Sequence, residues 1–78
     1  MRIKTISNAG FDDEITVEKI YVGEFGIWCP GAGEWHKVEE GDYNTYCRKH
    51  GNTVRGYKLV NDKGEVDVWG EWNFEKVL

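Results

Sequence analysis

The chain has 78 residues, a formal net charge of −4, and 40% hydrophobic against 31% charged residues. A chain this short buries only about 60–65% of the surface its unfolded form exposes, which allows one core and a single domain spanning residues 1–78. It contains no apolar run near the ~20 residues of a membrane-spanning helix, and its acidic balance argues against general affinity for nucleic acid, whose phosphates require a basic surface.

Residues 2–6 place Ile3 and Thr5 on one face and Lys4 on the other, the alternation of a half-buried strand. Ser7-Asn8-Ala9-Gly10 is turn chemistry and Asp12-Asp13-Glu14 continues it with solvated charge, so residues 7–14 read as a loop. Ile15 to Val22 is rich in β-branched residues and resumes a strand pattern. The parity change between Val17 and Ile20 places a bend or bulge near Glu18.

A short strand is expected at Phe25 to Cys29, with Gly26 marking a tight bend or a close backbone approach, and Pro30-Gly31-Ala32-Gly33 ends it. From Glu34 to Asn52 no clean period runs, which reads as an ordered functional loop or a short helical turn around Tyr43 to Lys49. Val54 to Val60 and Glu65 to Trp69 form a hairpin on Asn61-Asp62-Lys63-Gly64, with Gly64 taking the left-handed position of the turn. Glu71-Trp72-Asn73 fits a 3₁₀ turn, and Phe74 to Leu78 a closing strand with Phe74 and Val77 in the core. The expected architecture is all-β: a small five-stranded SH3-like barrel with a long inserted loop over residues 30–52.

Part of the sequence resembles a known family. Lys4-Thr5-Ile6-Ser7-Asn8-Ala9-Gly10-Phe11, followed by Ile15-Thr16-Val17-Glu18-Lys19-Ile20-Tyr21, resembles the opening of small SH3-like proteins of tailed bacteriophages and prophages. Those run from a first strand through Asn and Gly plus an aromatic into Leu-Thr-Val-Gly-Lys-x-Tyr. The hairpin on Asn61 to Gly64, Trp69 at its end and the aromatic-led strand Phe74 to Val77 are similar too. Glu18 stands where that pattern has glycine, and residues 25–52 read as an insertion. The resemblance implies a phage-type accessory protein, a class in which small acidic domains act by docking on a host protein.

All the cysteines and histidines fall in one window: Cys29, His36, Cys47 and His50. Zinc takes four nitrogen and sulfur ligands in a tetrahedron and would staple a small domain, and Cys47-x-x-His50 has knuckle spacing. The alternative makes Cys29 and Cys47 small buried hydrophobes and the histidines exposed, with no cofactor. A Cys-His nucleophile pair is the enzymatic version of the same residues and rests on residue type alone, so no enzymatic activity is expected.

With four Trp, four Tyr and three Phe, the chain carries more aromatic rings than a core of this size holds, so some should face solvent as contact residues. Trp35, Tyr43, Tyr46 and Trp72 are the expected apolar contacts, flanked by Arg48 and Lys49. Trp69 should pack on the barrel, and Trp28 suits either role. The expected function is non-enzymatic binding, with possible inhibition, of a host protein through the inserted loop and these aromatics. A nucleic-acid-binding module on the basic stretch 48–58 (Arg48, Lys49, Arg55, Lys58), a zinc-stapled interaction domain and acidic mimicry of nucleic acid are the alternatives. The opening Met-Arg-Ile-Lys-Thr-Ile is too short and polar for a secretory apolar region, so a cytoplasmic location is expected; a monomer or small homo-oligomer without membrane contact is the expected form.

Overall fold

The computed structural model describes residues 1–31, 33–39 and 53–77. They form two small antiparallel sheets built from seven strands: β1 (Arg2–Thr5), β2 (Ile20–Val22), β3 (Glu24–Cys29), β4 (Glu34–Lys37), β5 (Val54–Val60), β6 (Val66–Gly70) and β7 (Phe74–Lys76). The first sheet has the order β2-β1-β7 and the second β4-β3-β5-β6. A 3₁₀ turn at Glu71–Asn73 links β6 to β7, as the sequence predicts. No helix among the described residues is long and apolar enough to cross a membrane.

The alternation of side chains across each strand decides what is buried. Ile3 and Thr5 point inward from β1, Tyr21 from β2, Phe25, Ile27 and Cys29 from β3, and Tyr57 and Leu59 from β5, with Phe74 from β7 closing the set. Their rings meet edge to face: Tyr57 touches Phe25 with centroids 5.8 Å apart and Phe74 with centroids 5.6 Å apart, an arrangement aromatic quadrupoles favour. Trp69 packs half-buried against this core and Val77 is half-buried outside it. The hairpin forms as expected, with Gly64 at φ 80 in its turn.

Two expected elements differ. Residues 15–19 are not strand but irregular chain with a turn at Val17 and Glu18: Ile15 is buried, but Thr16 to Lys19 are exposed and Lys19 donates its N–H to Thr16 O at 3.1 Å. The bulge expected near Glu18 is there. Thr5 O accepts from Glu18 N while Thr5 N donates to Lys19 O, so two residues oppose one, and Glu18 sits at φ 76. An L side chain is disfavoured in that region by about 1–2 kcal/mol. Glu18→Gly is therefore expected to raise the unfolding free energy by about 0.5–1 kcal/mol in urea titration, the gain reduced by glycine's greater freedom when unfolded and by loss of the exposed Lys4–Glu18 pair. A lower value than wild type would remove the strain argument.

The second difference lies in the segment read as a long loop. Glu34–Lys37 is a strand, paired with β3 from Gly26–Lys37 to Cys29–Glu34. Its sequence, Glu-Trp-His-Lys, has no apolar alternation because it is an edge strand; pairing with β3 rather than its own pattern specifies it. With it the strands among the described residues number seven, in two separate sheets that do not close on each other, where a five-stranded barrel was expected. The helical turn expected around residues 43–49 lies outside the described residues.

One polar cluster ties the loop to the hairpin. The Asp62 carboxylate accepts from Thr16 Oγ1 at 2.6 Å, Lys19 Nζ at 2.7 Å and Tyr21 Oη at 2.8 Å, while Tyr21 Oη accepts from Thr16 N at 2.8 Å. These donors, Lys19 foremost, hold the Asp62 pKa down to about 2, from 3.8. Burial is the main cause pushing the Tyr21 phenol upward. A carboxyl depressed in the folded state stabilises the protein above its unfolded pKa and ceases to do so as pH falls through the folded one. The thermal midpoint should thus drop between about pH 4 and pH 2, and Asp62→Asn should flatten part of that drop, with Asp13, lowered by Lys63, carrying another part. An unchanged acid profile in Asp62→Asn would show that the cluster contributes nothing in solution.

Candidate functional site: an apolar groove at the open seam between the sheets

β2 and β3 are separated only by Gly23, so one length of chain serves both sheets. β3 pairs with β5 as far as Glu24–Lys58; carried two residues further, the register would bring Val22 to Val60. That pair does not form. Where the strands part, a groove of about 550 Å³ opens, within the usual size range of ligand sites.

Its floor is the core itself, reached through Phe25, Val38 and Leu59, and its walls are Val22, Val60 and Val66, with Met1 at one end. The wall side chains are 76%, 57% and 66% exposed. Glu24, Lys37, Lys58 and Glu39 supply the rim. Glu24 is held in place: its Oε2 accepts from Trp35 Nε1 at 3.1 Å and its Oε1 faces Lys37 Nζ at 3.8 Å. Lys58 stands opposite Glu24 in the register and has no ion-pair partner among the described residues.

The structure distributes the sequence-predicted residues unevenly. Trp72 is 67% exposed on the 3₁₀ turn, as expected for a contact residue. Trp35, expected to face solvent, is half-buried: its ring lies over Gly26, where a Cβ would come within 2.5 Å of it, and its N–H braces Glu24. It supports the groove's rim rather than presenting a free face. Trp28 is half-buried opposite Trp35. Tyr43, Tyr46, Arg48, Lys49, Cys47 and His50 lie outside the described residues.

Of the zinc candidates, Cys29 is a buried free thiol in the core and His36 is half-buried with Nε2 at 3.2 Å from Glu34 Oε2. The register sets Cys29 opposite Glu34 and His36 opposite Ile27, adjoining positions on one face. Among the described residues no group of three or more His, Cys, Asp or Glu side chains is placed to hold a metal ion. The basic stretch is split by strand alternation. Arg55 shares the parity of Tyr57 and Leu59, meets Glu71 Oε1 through Nε at 3.1 Å and lies over the Phe25 ring, whereas Lys58 has the opposite parity and is exposed. Arg55 and Lys58 therefore do not form one basic surface.

Sequence reasoning missed Val22, Val60 and Val66. Val22 and Val60 alternate with the buried Tyr21 and Leu59, and Val66 stands opposite Val60 on β6. The legible signal was a valine on the solvent parity of three neighbouring strands. The chain is thus an all-β domain with an apolar cleft where its two sheets part. No family model, curated protein or solved structure matches it.

Proposed function

We propose that this chain is a non-enzymatic binding module, an SH3-like domain of phage type, that docks on a host protein through the groove between β2 and β5. The observation that carries the proposal is the contiguity of Val22, Val60 and Val66, three exposed β-branched side chains lining one cleft with core residues at its base. Apolar surface of this kind is stabilised by being covered, and well-packed apolar anchors ringed by polar groups are where binding energy concentrates. The SH3-like assignment draws support from the chain segment shared by both sheets and the 3₁₀ turn before the last strand. Trp72, exposed on that turn, supplies a second contact.

Affinity capture on the immobilised chain, identification of the captured protein and calorimetry with the purified partner test this. Val60→Asp and Val66→Asp should each weaken binding tenfold or more while leaving the fold intact, because both side chains are already exposed. Binding unchanged in both variants would overturn the reading. A shallow salt dependence is expected, whereas nucleic-acid binding would weaken steeply with salt.

A further inference from the structure

The walls of the groove offer more than apolar side chains. Gly23 N donates to Met1 O at 2.8 Å and Thr5 N to Lys19 O at 3.0 Å, which fixes the hydrogen-bonded positions of β2 at alternate residues. In an antiparallel ladder the intervening residues turn their N–H and C=O groups away from the partner strand. Val22 therefore directs its backbone polar groups away from β1, toward the seam.

The opposite wall follows the same rule. Asn61 N donates to Glu65 O at 2.9 Å, so Asn61, Leu59 and Tyr57 bond to β6, and Lys58 and Val60 face the other way. Lys58 is met by Glu24 of β3; Val60 has no paired strand on that side among the described residues, because β3–β5 pairing ends two residues earlier, at Lys58. Both walls thus end in peptide groups unpaired among the described residues and facing one cleft, with exposed valines beside them. The other margin of the second sheet contrasts with this. On β6, Val68 N donates to the Asp67 carboxylate at 2.9 Å and Gly70 O accepts from Asn73 Nδ2 at 3.1 Å, so that edge is partly capped by its own side chains.

We infer that the groove receives an extended segment of the partner protein, which adds as a short strand at the seam and pairs with the backbone of Val60 and Val22. The inference rests on the binding-module reading above and names the chemistry of its partner. An added strand satisfies main-chain donors and acceptors regardless of sequence, and pockets for alternate side chains provide selectivity. Here an aliphatic side chain of the segment enters toward Phe25, Val38 and Leu59, and Lys58, without an ion partner among the described residues, favours an acidic residue at the segment's flank.

The test uses a random heptapeptide library displayed on phage and selected against the folded chain, with the best peptides then synthesised. Expected are peptides carrying a central aliphatic residue that bind wild type at least tenfold more tightly than Val60→Asp or Val66→Asp. N-methylation of alternate amides on the edge facing Val60 should weaken binding at least tenfold, and exchange of the Val22 and Val60 amide protons should slow by a similar factor on binding. Peptides that bind in the groove but tolerate N-methylation on either edge and give no amide protection would overturn strand addition and leave the binding-module reading standing. No selected peptide, or peptides that bind both aspartate variants as well as wild type, would overturn both. Slowed Val22 and Val60 exchange that rises with protein concentration in the absence of peptide would make a second copy the occupant, against the inference.

Discussion

Ile27→Ala is expected to lower the unfolding free energy by about 3 kcal/mol, inside the 2–5 kcal/mol range of buried large-to-small substitutions. Ile27 is 0% exposed and stands in the middle of β3, opposite His36 on β4 and Arg55 on β5, so its removal leaves a cavity bounded by strands on both sides. A domain of this length is stable by only about 4–12 kcal/mol, and the loss therefore takes a large fraction of the whole. Urea titration followed by tryptophan fluorescence reads it directly. A change below about 1 kcal/mol would mean that the core collapses around the missing atoms, contrary to the close packing described.

Gly56→Ala is expected to be comparably severe for a different reason. A Cβ at Gly56 would lie 2.4 Å from the Trp69 carbonyl oxygen and 3.2 Å from its carbon, both main-chain atoms of the paired strand. Neither can move without separating β5 from β6, the hairpin on which the second sheet is built. Overpacking of this kind costs about 1–3 kcal/mol and sometimes more; the upper end is expected here because backbone is the obstacle. Gly70→Ala serves as the control: the atoms nearest its Cβ belong to the Trp72 ring, which is exposed and can swing aside, so a small change is expected. Equal thermal midpoints for the two variants would refute the distinction.

What the sequence made legible follows from where its information is local. The β5–β6 hairpin is written in Asn61-Asp62-Lys63-Gly64 between two β-rich runs, and the backbone takes the turn those residues favour. The bulge at Glu18 was readable from a parity change between Val17 and Ile20. β4 was not readable, because an edge strand of Glu-Trp-His-Lys depends on hydrogen bonds to β3 and shows no pattern of its own. The strand expected at residues 15–19 failed for the opposite reason: β-branched residues are present, but Val17 is 40% exposed and the tertiary contact that matters there is polar, through Thr16 and Lys19 to Asp62.

The binding surface was the least legible part. Aromatic rings drew attention to Trp35 and Trp72, yet Trp35 is occupied by Gly26 and Glu24. The groove instead depends on where pairing between β3 and β5 stops, a tertiary fact that residue types do not carry.

The chain passes from the first sheet to the second across a single residue, Gly23, and this governs how the molecule comes apart. Neither layer owns an independent boundary at which it could melt while its neighbour persists, so heat or denaturant should produce one coincident transition whichever layer the spectroscopic probe reports.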